Sequence, residues 1–106
     1  MIIVYSTFPN RKKAKEVAEK LIEKKLAGCV NIFPIEAIYS WQGKTEGGRE
    51  FAAVIKTKKE KFRQVEKLIL ENHPDDTPCI LEVPVGRVAK KYLSWLDKSV
   101  KQRSVA

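Results

Sequence analysis

The sequence predicts an α+β sandwich of ferredoxin-like βαββαβ topology, closed by an additional C-terminal helix. Three observations carry this. Amphipathic helices alternate with apolar strand segments in the order strand, helix, strand, strand, helix, strand, helix. The two middle strands form one unusually long hairpin, from Gly28 to Thr57. With 106 residues, 43% of them hydrophobic, the chain has material for one core, and residues 1–106 are expected to form a single domain.

Ile2 to Phe8 is an almost continuous apolar run, as a central strand buried on both faces requires. Asn10 follows Pro9 and suits a helix N-cap. From Arg11 to Leu26, the positions Ala14, Val17, Ala18, Leu21, Ile22 and Leu26 recur at helical spacing, with lysine and glutamate on the outer face. Gly28 stands where a left-handed residue would end the helix.

In the hairpin's first arm, Asn31, Phe33, Ile35, Ala37, Tyr39 and Trp41 share one face, and Val30, Ile32, Glu36, Ile38 and Ser40 the other. Gln42-Gly43 supplies the turn, and the return arm ends at Thr57. Pro34 marks an edge strand or a bulge, and Gly47-Gly48 a second bulge or bend. An arm of this length spans roughly 40 Å, whereas a compact chain of this size has a radius of gyration near ~13 Å. The hairpin therefore overruns its domain, and its aromatic end needs cover from another chain.

Thr57 and Glu60 have the spacing of a capping box, ahead of a helix with Phe62, Val65, Leu68 and Ile69 on its apolar face. That helix stops before Pro74. Cys79 to Val85 alternates as the fourth strand, with Pro84 suggesting an edge. Val88, Tyr92, Trp95, Leu96 and Val100 form a last amphipathic helix before the basic tail Lys101 to Ala106. Right-handed crossovers give the strand order 4-1-3-2, with the hairpin's first arm at one edge.

Composition narrows function. No segment approaches the ~18 apolar residues of a membrane span, and the N-terminus lacks signal-peptide features. Two cysteines are no disulfide framework, which points to a reducing cytoplasm. Cys29 and Cys79 open strands on opposite sheet edges, too far apart for an intrachain bridge. The charge of +8 reads as solvated lysine-rich helix faces. RNA-binding sheets stack bases on central-strand aromatics; here the return arm offers only Phe51, and the first strand Tyr5 and Phe8, which argues against nucleic acid.

Several segments together carry a resemblance. The opening I-V-Y-S-T-F-P, A-G-C-V-N after the first helix, Y-S-W-Q-G-K at the turn, E-F-A-A-V-I-K-T in the return arm, H-P-x-x-x-P and Y-L-S-W-L resemble the CutA family of divalent-cation tolerance proteins. The resemblance covers nearly the whole chain. It implies a ferredoxin-like homotrimer, cytoplasmic in prokaryotes and tied to tolerance of copper and other divalent metals, and similar in architecture to PII signalling trimers.

Candidate metal ligands are His73, Asp75, Asp76 and Cys29, for Cu²⁺ or another divalent cation. Ser6 and Asn72 stand where some family members carry cysteine and histidine, and Asp75 where others carry tyrosine, which points to a carboxylate-assisted site. The alternative reading is a PII-like module that binds a small anionic metabolite through Lys56 and neighbouring lysines. No G-x-S-x-G, H-E-x-x-H or P-loop pattern occurs, and the chain is read as a binding protein rather than an enzyme.

Overall fold

The computed structural model describes residues 1–100; the basic tail expected from Lys101 onward lies outside them. The elements are β1 (Ile2–Phe8), α1 (Arg11–Glu23), β2 (Cys29–Trp41), β3 (Lys44–Thr57), a 3-10 turn (Lys59–Lys61), α2 (Phe62–Asn72), β4 (Ile80–Pro84) and α3 (Lys90–Ser99). All strand pairs are antiparallel, and the sheet order β2-β3-β1-β4 is the expected one. Pro34 and Pro84 do lie on edge strands, where proline's missing N–H costs no ladder bond within the chain.

Alternation along β1 sends Ile2, Val4, Ser6 and Phe8 to one buried face. Val4 and Phe8 meet Ala14, Val17 and Leu21 of α1 and Val65, Leu68 and Ile69 of α2 in a single core. Each fully buried side chain of this size contributes about 1.5–3 kcal/mol relative to exposure. α1 and α2 cover only this face. On the other, Ile3 and Tyr5 of β1 lie beside Lys56 and Val54 of β3 and Val83 and Leu81 of β4; α3 reaches this face at Lys56, and among the described residues no helix lies above its middle. Leu81 is 52% exposed, Val83 42% and Phe33 40%.

The hairpin is longer and more regular than expected. Its register runs without a break from Cys29↔Lys56 to Trp41↔Lys44, so neither Pro34 nor Gly47-Gly48 marks a bulge. Gly47 faces Ile38 and Gly48 faces Ala37 as ordinary ladder partners. At the turn both Gln42 (φ 50°) and Gly43 (φ 76°) have positive φ, as a two-residue type I′ turn demands. A non-glycine residue there costs roughly 1–2 kcal/mol, so the ladder on either side must hold Gln42 in place. β1 flanks β3 only from Phe51 to Thr57. Beyond Glu50 the hairpin continues as a bare two-stranded ribbon for about 23 Å. The molecule measures 49 × 30 × 22 Å, and its radius of gyration of 14.7 Å exceeds the ~13 Å of a compact chain of this length.

Helix ends depart from expectation in two places. Asn10 caps α1 as predicted, accepting from the Lys13 N–H at 2.8 Å. The helix ends at Glu23 rather than Leu26, and Lys25, not Gly28, takes the left-handed conformation (φ 57°). The Leu26 N–H then reaches Leu21 O at 2.9 Å and the Lys25 N–H reaches Ile22 O at 3.0 Å, a Schellman closure that satisfies two orphan carbonyls. Thr57 does not cap the following helix either. Its hydroxyl is buried and donates to Leu26 O at 2.6 Å, tying the end of β3 to the end of α1. The 3-10 turn Lys59–Lys61 fills the junction where the capping box was expected.

Gly28 has a different role. A Cβ there would lie 2.5 Å from Leu96 Cδ1, and Leu96 is fully buried. The absence of a side chain lets α3 settle against the start of β2. We expect Gly28→Ala to overpack this contact and cost about 1–3 kcal/mol, read as a lowered urea midpoint, with the loss arising at α3. An unchanged midpoint would show that α3 is free to shift.

Candidate functional site

His73 lies just past the C-terminus of α2, in extended backbone (φ −93°, ψ 135°), as expected for the residue before Pro74. Its ring stacks on Phe8 at 5.0 Å between centroids, and its side chain is only 1% exposed. Nε2 lies 2.7 Å from Thr7 O, and because a carbonyl only accepts, Nε2 carries the proton. Nδ1 accepts from the Asp75 N–H at 3.1 Å. The ring is therefore the neutral Nε2–H tautomer, and the 3.9 Å approach of the Asp75 carboxylate to Nδ1 is no ion pair. Both nitrogens are engaged in structure: one holds the end of β1, the other shapes the Pro74–Asp76 turn. No lone pair remains for a metal or for general-base work unless one of these bonds opens.

Asp75 and Asp76 are exposed beside it. Cys29 sits at the other end of the sheet, opposite Lys56, whereas His73 is bonded to Thr7, whose neighbour Phe8 is opposite Phe51. Within one chain the four candidate ligands thus do not converge, and no group of three potential ligands forms among the described residues. Among the described residues of one chain, imidazole and thiolate do not come together as a copper set. The donors that remain accessible near His73 are carboxylate oxygens.

Ser6 and Asn72 also have structural duties. The Ser6 hydroxyl, fully buried, donates to Cys79 O at 2.7 Å and fixes the start of β4. Asn72 donates to Leu68 O at 2.8 Å and accepts from Lys20 Nζ at 2.7 Å, joining α2 to α1. Sequence reasoning saw both only as departures from a pattern. The short polar side chain at the end of the helix, four residues after the carbonyl it bonds, was the available signal for Asn72.

Both cysteines are free and half-buried. Burial raises the Cys79 thiol above its ordinary value, and the Glu50 carboxylate adds to this. Sequence gave no sign of the pairing, because Glu50 and Cys79 meet only through the fold. At the opposite end Lys56 Nζ lies 5.6 Å from the Tyr92 ring centre, and Tyr92 packs on Trp95 at 5.5 Å. Lys58, mostly buried, pairs with Asp97 at 3.5 Å. α3 is thereby joined to the last residues of β3.

These features define a ferredoxin-like domain with an uncovered sheet face and an overhanging hairpin. Residues 2–99 match the family described as CutA1 divalent ion tolerance protein, and the chain belongs to that family. A divalent-cation tolerance protein CutA from Archaeoglobus fulgidus is 44% identical over 97 residues, spanning 92% of this chain and 95% of that one. Its counterpart from Thermotoga maritima is 43% identical over 100 residues, spanning 94% and 99%. A solved structure from Archaeoglobus fulgidus, described as a periplasmic divalent cation tolerance protein CutA, superposes with a TM-score of 0.93 at 43% identity, covering 95% of this chain and all of the other (100%). A PII-like protein CutA from a Nostoc species shares the fold at 23% identity, with a TM-score of 0.89 and coverage of 95% and 98%. No helix among the described residues is long and apolar enough to cross a membrane.

Two measurements check this account. His73→Ala removes the stack on Phe8 and orphans Thr7 O, and we expect a loss of about 2–4 kcal/mol in urea unfolding. A stability within about 0.5 kcal/mol of the parent would mean that the ring does not hold the turn. Cys79 resists deprotonation, so its alkylation at neutral pH is expected to be slower than in the unfolded chain, and Glu50→Gln to accelerate it. The sign for stability follows: the contribution is intact below the unfolded thiol's pKa and is lost as pH rises through the higher folded value.

Proposed function

We propose that the protein is a divalent-cation tolerance module that works by binding as a homotrimer, without catalysis, in a reducing, cytoplasmic compartment. The observation that carries the reading is the uncovered apolar sheet face, Tyr5, Val54, Phe33, Leu81 and Val83, continuous with a hairpin that exposes Ile38 and Trp41. A lone subunit would leave these side chains in water, and a closed ring of three copies buries one face against the next. The free ladder edge of β2 gains a partner in the same step. Family membership supports the link to divalent cations.

The ion, Cu²⁺ or another divalent cation, would be taken by the exposed Asp75 and Asp76, with His73 orienting their turn. Residues of a second subunit, with Cys29 a candidate, would complete the shell, since one chain falls short of it. An ion so held needs oxygen donors that tolerate varied geometry. The PII-like alternative, a small anionic metabolite near Lys56, is favoured by the lysine's position over Tyr92 at the sheet's end.

Light scattering is expected to give three times the chain mass of 12.1 kDa; a mass of one chain rejects the trimer. Calorimetric titration with Cu²⁺ is expected to give heat that Asp75→Asn with Asp76→Asn abolishes. Undiminished heat in that variant removes the carboxylates from the site, and metabolite binding without metal dependence favours the alternative.

A further inference from the structure

The excess positive charge is a property of composition, but the fold decides where it sits. Ile2 faces both Thr57 and Pro84, and Cys29 faces Lys56, so one end of the sheet collects the starts of β1 and β2 and the ends of β3 and β4. α1 finishes at this base and α2 begins there. α3 is fastened there by the Lys58–Asp97 pair and by the close pass of Gly28 against Leu96. Lys24 and Lys25 follow α1, Lys59, Lys61 and Arg63 open the 3-10 turn and α2, and Lys90 and Lys91 open α3. Against them the base sets Glu23, Glu60, Glu66, which pairs with Arg63 at 3.0 Å, and Asp97, which is taken by the further base cation Lys58. At the far end, the cations that open α1 are balanced by Glu16, Glu71, Asp75 and Asp76, and the hairpin carries Glu36, Glu46 and Glu50 against Lys44 and Arg49. The positive excess of the described residues is thus concentrated at the base.

Local stability opposes this arrangement. A lysine in the first turn of a helix faces the positive end of the dipole, at a cost of about 0.3–1 kcal/mol. Asn10 caps α1 at the far end, whereas α2 and α3 start at the base without a side-chain cap. Lys61, 6% exposed, has no ion-pair partner among the described residues. Lys24, Lys25, Lys59, Lys90 and Lys91 are all exposed.

We propose that the base of the sheet is a surface for the phosphate backbone of nucleic acid, bound without sequence preference. Lysine is a compact point charge that neutralises phosphate but lacks the planar fork used for base readout. Lysines from three separate segments present such charges on one end of the molecule. The apolar exposure on α3 is a single large ring, Trp95 at 46%. One ring is too little to insert into a bilayer and enough to stack on one base. The composition alone placed these lysines on solvated helix faces, because they are scattered along the chain; their convergence belongs to the fold. The inference does not depend on the cation site proposed above.

The test is fluorescence anisotropy of the full chain with a labelled oligothymidylate, at salt from about 50 to about 200 mM. Neutralising ~4 phosphates predicts a slope of about −3 in log affinity against log salt. Lys59→Glu with Lys91→Glu is expected to weaken binding by about tenfold or more, and Lys12→Glu with Lys15→Glu, at the far end, by no more than about twofold. Should the first variant fail to fold, Lys24→Glu with Lys90→Glu gives the same readout. No binding at the lowest salt overturns the proposal, and so does equal weakening by the two ends. Binding to vesicles of equal parts phosphatidylcholine and phosphatidylserine, with none to the oligonucleotide, also overturns it.

Discussion

The antiparallel ladder between β2 and β3 is the constraint on which the other features depend. Its unbroken register fixes which side chains share each face, from Cys29 beside Lys56 at one end to Trp41 beside Lys44 at the other. With β3 held by β1, a slip of one residue would turn β2 over, sending Phe33 to the helix side and Ile32 to the open side. The same ladder holds Gln42 in a conformation it disfavours alone and carries the hairpin past the last residue of β1. It also positions Lys56 for Tyr92. The uncovered face, the overhang and the seat of α3 all descend from one register.

Much of this was legible in the sequence, because it rests on short-range chemistry. Alternation along Val30–Trp41, helical spacing from Ala14 to Leu21, the Asn10 cap and the Gln42-Gly43 turn each depend on neighbours a few residues away. The misreadings came from residues whose partners are distant. Gly28 looked like a helix cap, but its partner is Leu96, and Lys25 could take the left-handed position because the Schellman bonds repaid it. Thr57 looked like a cap, but it is spent on Leu26 O. Gly47-Gly48 looked like a break, yet a bare two-stranded ribbon, open along both edges within the chain, tolerates glycine without bulging.

The candidate site followed the same division. His73 was identifiable as the lone imidazole at a helix end, and the turn after it as a carboxylate pair. That both imidazole nitrogens are committed, one to Thr7 and one to the Asp75 amide, depends on β1 passing beneath α2. The distance between Cys29 and His73 is equally a matter of topology: Cys29 opens β2 at one end of the sheet, and His73, after α2, is held by Thr7 at the other. Charge behaved likewise, since lysines scattered over the chain gather at one end only after the helices are placed.

The position of β1 bears on how the chain is made. Its residues hydrogen-bond to β3 on one side and to β4 on the other, and Ile2 finds Pro84 only after nearly the whole described sequence has been synthesised. β1, one of the two inner strands of the finished sheet, is therefore synthesised before both of its neighbours and waits for them. The local hairpin, closed by its two-residue turn, can assemble while β1 is still unpaired, and the long-range pairings that complete the sheet form last and set the pace.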